Sequence, residues 1–306
     1  MKNHSNPASL VLGSGGARGL AHIGVIRALE EHGRCNIRSI AGSSMGSLVG
    51  GLYAGGKLDT YTEWVRGLSA VDMWRLLDFS FTGQGLFEGK RLMKKLCDLV
   101  GEIQIEDLAI SFAATASDIE RREVISIDRG SLFDAIRASI AIPGFFTPVP
   151  RNGRLLVDGG LLSPVPLELV HREDAERIIV VSLNGNGDPD DPDPSKAEES
   201  EESETPEDRS AEGQNSFQRW YREARAKLGL DSDENEGPSA VDILTKSLEA
   251  MQDRIARFQM EAAKPDLLIE ISVNACGFLD FHLADEMIEL GYRTALRAIR
   301  RAENFH

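Results

Sequence analysis

Three short stretches of this 306-residue chain hold residue types that can do chemistry together. Gly42-Ser43-Ser44-Met45-Gly46 sets a serine among small residues. Gly13-Ser14-Gly15-Gly16-Ala17-Arg18-Gly19 is a glycine-rich run, and Val157-Asp158-Gly159-Gly160 ends an apolar run on an aspartate. A serine in such company fits a sharp strand-to-helix turn, because the turn crowds the backbone and admits only small neighbours while presenting the hydroxyl at a helix N-terminus. The pentapeptide alone is a weak signal. Its context strengthens it, since the run ending at Ala41 reads as strand and the run from Met45 as helix. Nucleophilic attack by Ser44 on an acyl carbon is the chemistry this implies.

The glycine run admits three uses. A phosphate-binding loop would end in Lys-Ser or Lys-Thr, and this one does not. A dinucleotide-binding turn would have Gly at Ser14 and an acidic residue at the end of the second strand, where this chain has Ala41-Gly42. The remaining use is an oxyanion hole, in which backbone amides donate to the charge that develops on a carbonyl oxygen. A tight turn that packs helix on strand is compatible with that role. Both turns follow neighbouring parallel strands and should open on the same edge of the sheet.

A serine nucleophile needs a base within hydrogen-bond reach. An aspartate before two glycines is ordinary turn chemistry when isolated, so Asp158 draws its weight from the other two stretches. The order Ser44, Asp158, then His171 or His282 would suit a triad, but His171 precedes Arg172 and Glu173 in a polar helix tail, and His282 begins the last helix. His22 lies one turn inside the first helix and His32 near its end. His4 and His306 are terminal. No histidine has the context of a catalytic base.

The elements that must position these residues alternate short β-branched runs with helical ones, the pattern of an α/β domain with a mostly parallel sheet. Strands are expected at Ser9–Leu12, Ile37–Ala41, Ala109–Thr115, Arg122–Ile127, Leu155–Asp158, Arg177–Leu183 and Asp266–Ile271. Helices are expected at Gly19–His32, Ser44–Tyr53, Leu132–Ile140, Leu167–Arg172, Val241–Ala262 and Ala284–Ala302. Residues 186–240 interrupt this pattern inside a single domain spanning 1–306. From Asp188 to Glu212 twelve acidic residues face Lys196 and Arg209, a net of −10 out of −15 for the whole chain. Such a segment cannot bury enough apolar surface to offset its ordering entropy, so it is expected to be largely disordered. A short amphipathic stretch, Phe217 to Leu228, follows it.

The acidic balance speaks against nucleic-acid partners. Three widely spaced cysteines, Cys35, Cys97 and Cys276, make neither a disulfide framework nor a zinc knuckle, and no acidic or histidine cluster suggests a metal. No apolar run approaches the roughly 20 residues a membrane span needs, and the first ten residues have no secretory core. The expected location is the cytoplasm. Trp64, Val65, Leu68, Val71, Met73, Trp74, Leu76, Leu77, Phe79 and Phe81 form an apolar, aromatic stretch, mostly assigned to core packing, with some members expected to line an acyl groove or touch a membrane surface.

Taken together, Leu12 to Ala28, Ala41 to Tyr53, Gly85 to Leu92, Ala135 to Pro143, Leu155 to Pro166 and Phe281 to Tyr292 resemble the patatin-like phospholipase family, and more narrowly its bacterial members related to the neuropathy target esterase catalytic domain. The resemblance covers nearly the whole chain outside the acidic segment. It implies a three-layer sandwich and a Ser-Asp dyad in which Ser44 attacks a lipid or other acyl ester and Asp158 takes its proton without a histidine. It further implies an oxyanion hole from the amides near Gly15, Gly16 and Arg18, with Gly13, Gly19, Gly42, Gly46, Gly159 and Gly160 supporting the turns, and no cofactor. One departure stands out: the family signature commonly has Gly at Ser14, which requires Ser14 to adopt a negative φ. Rival readings are a catalytically silent scaffold of the same fold, acyl transfer or thioester hydrolysis with the same dyad, and, more remotely, nucleotide binding.

Overall fold

A computed structural model describes residues 6–33, 35–78, 80, 85–170, 176–185 and 240–302. Its strands are β1 (Asn6–Leu12), β2 (Cys35–Ser43), β3 (Ser111–Asp118), β4 (Glu123–Ile127), β5 (Val149–Arg151), β6 (Arg154–Asp158), β7 (Arg177–Gly185) and β8 (Leu267–Ser272). They join in one sheet of order β5-β6-β3-β2-β1-β7-β8, with β4 paired to β3. The run β3-β2-β1-β7-β8 is parallel, whereas β4 and β6 are antiparallel to β3 and β5 is antiparallel to β6. The sheet is therefore mixed, with its parallel half built from the strands that alternate with helices.

The helices are α1 (Ala21–His32), α2 (Met45–Ala54), α3 (Leu58–Arg66), α4 (Ala70–Leu76), α5 (Lys90–Val100), α6 (Leu132–Ser139), α7 (Ala240–Ala263) and α8 (Ala284–Arg301). The period-2 alternation of β1 divides the core in two: Leu10 and Leu12 join the packing of α1, α2, α6 and α8, while Val11 faces Val165, Leu167 and Ala256 on the other side. This gives helix, sheet and helix layers. On the first face α1 and α8 cross very closely, because a Cβ on Gly24 would run into the Ile288 carbonyl and one on Gly291 into the Ala21 carbonyl. That contact fixes α1, and with it the glycine turn at its N-terminus.

Several expectations change in detail. Gly16–Leu20 is a separate 3-10 turn ahead of α1. The helix expected at Leu167–Arg172 is only a 3-10 turn, Leu167–Leu169, and Val170 is already extended. His171 and Arg172 lie outside the described residues. Between residues 58 and 100 the chain folds into α3, α4 and α5, and these helices and β5 are additions to the elements expected from residue pattern. The acidic segment over 186–239, with the amphipathic stretch in it, lies outside the described residues, and α7 emerges from it at Ala240.

Candidate active site

Register decides the meeting of the three stretches. Parallel pairing sets Leu12 beside Gly42 and Ser43 beside Thr115, so the turns after β1 and β2 open side by side at one sheet edge. β3 continues past that edge, and antiparallel pairing of Ala116 with Asp158 brings the end of β6 back to it. Ser44 and Asp158, 114 residues apart, meet there: Ser44 Oγ donates to Asp158 Oδ2 at 2.6 Å, and both residues are buried.

The elbow is held under strain. Ser44 has φ 52° and ψ −120°, a left-handed setting that costs a non-glycine residue on the order of 1–3 kcal/mol. Surrounding contacts hold it. Its amide donates to Ser139 Oγ at 2.9 Å, and its carbonyl accepts from Ser47 Oγ at 2.6 Å and from the Ser47 amide at 2.9 Å. The small residues have the crowding role expected of them. A Cβ on Gly42 would lie 2.5 Å from Ser47 Cα, and one on Gly46 would collide with the Leu12 carbonyl. Gly19 presses on the Met45 side chain and Gly159 on Thr115 in the same way.

Asp158 is fully enclosed. Its Oδ1 accepts from the Gly160 amide at 2.7 Å, its Oδ2 from Ser44, and its own amide donates to the Ala141 carbonyl. Burial pushes its carboxyl up to about 7, against the pull of the Ser44 and Gly160 hydrogen bonds. Desolvation penalises the carboxylate more than these two donors recover, which is the condition that sets a carboxylate's basicity near neutral pH.

The glycine turn presents its amides unevenly. The Gly13, Ser14 and Ala17 amides are taken up by the carbonyls of Val181, Pro164 and Phe278. Gly15 and Gly16 line a cavity of about 70 Å³ together with Ser14, Ser44 and Asp158. The Arg18 side chain is engaged apart from this cavity: its buried guanidinium bonds Glu249 at 3.0 Å and the Val273 carbonyl at 3.2 Å, and the residue lines a second, larger cavity that also reaches Ser44. His22 is fully buried with a ring nitrogen 2.9 Å from the Gly13 carbonyl. Desolvation lowers it to about 4, so the neutral ring serves as a strut under the turn. Ser14 is absent from the non-glycine residues with positive φ, so serine is accommodated without backbone strain.

The patatin-like phospholipase profile matches residues 10–171, a stretch that contains the glycine turn, Ser44 and Asp158. The chain belongs to the patatin-like phospholipase family. An uncharacterized NTE family protein of Mycobacterium tuberculosis is 34% identical over 99% of this chain and 94% of its own length. The neuropathy target esterase sws of Drosophila melanogaster is 34% identical over 60% of this chain but only 13% of that much longer protein. The human patatin-like phospholipase domain-containing protein 6 is 32% identical over 60% of this chain and 14% of its length. Among solved structures, VipD from Legionella pneumophila superposes with a TM-score of 0.54 at 14% identity, covering 97% of this chain and 67% of VipD, a likeness of fold.

This patatin-like chain carries a large cavity of about 920 Å³ that reaches Ser44. Trp64, Val65, Leu68, Met73 and Leu77 line it, as the apolar stretch suggested, joined by Phe87, Leu92 and Phe146. Phe79, Phe81 and the side chains of Val71 and Trp74 lie outside the described residues. His282 is exposed at the cavity and bonds neither Ser44 nor Asp158 among the described contacts. Ser139 was not singled out from sequence. Its signal was a lone serine in the apolar run Ala135 to Pro143, a polar group that must find a partner when buried.

Proposed function

We propose that the protein is a serine acyl hydrolase for lipid or other carboxylic esters, with Ser44 as nucleophile and Asp158 as the sole protein base. The observation that carries this reading is the 2.6 Å bond from Ser44 Oγ to Asp158 Oδ2, between buried groups at the meeting of two cavities. Asp158 accepts the hydroxyl proton as Ser44 attacks the ester carbon, then returns it to the departing alkoxide. Water next attacks the acyl-Ser44 carbon, gives its proton to Asp158, and the proton passes to Ser44 Oγ as that bond breaks. The amides of Gly15 and Gly16 donate to the oxyanion; the Arg18 side chain is engaged with Glu249, so that residue takes part through its amide alone. The positive end of α2 adds to the stabilisation of charge at Ser44.

The apolar wall of the 920 Å³ cavity, formed by Trp64, Val65, Leu68, Leu92 and Phe146, supports a long acyl chain as the group bound. The exposed Ile243, Leu244, Met251 and Phe258 on α7 support transient contact with a lipid surface, for a protein in the cytoplasm. Among the described residues no helix is long and apolar enough to cross a membrane. The whole chain is read as one catalytic domain, with the acidic segment inserted before α7. Labelling with a fluorophosphonate probe, with peptide mapping, tests the assignment. Modification of Ser44 that falls sharply in Asp158→Ala is expected; a folded protein labelled elsewhere or not at all would favour a silent scaffold instead.

A further inference from the structure

Ser14 is the residue at which this chain departs from the family's glycine signature, and its hydroxyl is anomalous. The side chain is 2% exposed and Oγ has no hydrogen-bond partner in the structure. A buried hydroxyl without a partner costs about 1–3 kcal/mol, so a group kept in that state needs an explanation. Its position supplies one. Ser14 lines the 70 Å³ cavity, in which the other polar residues are Ser44, Asp158, Glu249 and Gln252. A Cβ on Gly160 would lie 2.7 Å from Ser14 Oγ and 2.9 Å from Asp158 Oδ1, so hydroxyl and carboxylate flank the same glycine. The absence of a side chain at Gly160 is what lets Ser14 stand beside the base.

The two cavities that meet at Ser44 divide naturally. The large one joins apolar walls to a polar side that includes Lys246, Glu249, Asn274 and Asp280, and has neither Ser14 nor Asp158 in its wall; the small one has both Asp158 and the unpartnered hydroxyl. The small one has room for a few waters or a small alcohol fragment. We propose that this cavity is the site of the exchanging oxygen, first the leaving alcohol and then the hydrolytic water, and that Ser14 Oγ is its hydrogen-bond partner opposite Asp158. The inference rests on the acyl hydrolase reading. In acylation the C–O bond to the alcohol breaks, Asp158 returns the Ser44 proton to that oxygen, and the Ser14 hydroxyl donates to its developing charge. In deacylation water occupies the same place, gives one proton to Asp158 and the other, as a hydrogen bond, to Ser14 Oγ. Ser14 exchanges no proton in either half.

The test is pre-steady-state hydrolysis of p-nitrophenyl butyrate by wild type, Ser14→Ala and Ser14→Gly. Nitrophenolate spreads its charge into the ring and leaves unprotonated, so it needs little from a donor at the leaving oxygen, and Asp158 releases the Ser44 proton to water before deacylation; acylation, read as the burst, is therefore expected to stay within about twofold of wild type. Deacylation, read as the steady-state rate, is expected to fall roughly tenfold, the effect of one hydrogen bond made at the transition state. The thermal midpoint is expected to hold or rise, since an unpartnered buried hydroxyl is removed. Burst and steady-state rates that fall together, or neither changing, would overturn the role given to Ser14. Wild type without Ser44-dependent nitrophenol release would instead sink the hydrolase reading itself. Ser14→Gly, the residue common in the family, keeps the test open if the alanine variant folds poorly.

Discussion

Replacing Asp158 by Asn isolates the cost of burying the carboxylate proposed as the base, and the structure sets its size. The Asp158 carboxyl moves from 3.8 up to about 7 on folding because burial strips its water. At ~1.4 kcal/mol per pH unit, this corresponds to about 4 kcal/mol of folding free energy. Because the folded value is the raised one, the favourable contribution is fully present below pH 3.8 and is lost as pH climbs through about 7. An asparagine side chain there would have nearly the same shape and no titration. Urea unfolding of the two proteins should therefore give similar stability at pH 4, and at pH 8 an Asp158→Asn variant more stable by about 4 kcal/mol, although inactive. The wild-type kcat/KM should rise with pH around a midpoint near 7, since only the carboxylate can accept the Ser44 proton. A stability difference that changes by less than ~1 kcal/mol between pH 4 and pH 8 would refute the desolvation argument. So would an activity limb centred near the ordinary carboxylate value.

Ser44→Gly and Ser44→Ala should both be inactive, but the glycine variant should be more stable than the alanine variant by about 1–2 kcal/mol, read by urea unfolding, because only glycine relieves φ 52°. Ser139→Ala leaves the Ser44 amide buried without its 2.9 Å acceptor, so stability should fall by about 1–3 kcal/mol and fluorophosphonate labelling should slow, while Ser139→Thr should restore both. Gly291→Val drives a side chain into the Ala21 carbonyl and should cost at least ~2 kcal/mol of stability in the same urea assay. Leu92→Trp narrows the large cavity; hydrolysis of long-chain nitrophenyl esters should drop more than that of the butyrate, and equal losses would remove the cavity from acyl binding.

The sequence alone determined what could be written into local backbone. Small residues around Ser44 and the glycines from Gly13 to Gly19 are demands of tight turns after strands, so both turns and their strands were legible from residue type and spacing. Helices with a clear apolar period, such as α1 and α8, were legible for the same reason. Local pattern is silent on long-range register. Only the antiparallel return of β6 onto β3 set Asp158 against Ser44 and removed enough water to lift its basicity. The same packing turned Ser139 from a helical serine into the acceptor for the Ser44 amide, and engaged the Arg18 side chain with Glu249. It also left the Ser14 hydroxyl unpartnered near Asp158. Desolvation, strain and unmet hydrogen bonds depend on what lies across space, which residue spacing along the chain does not encode.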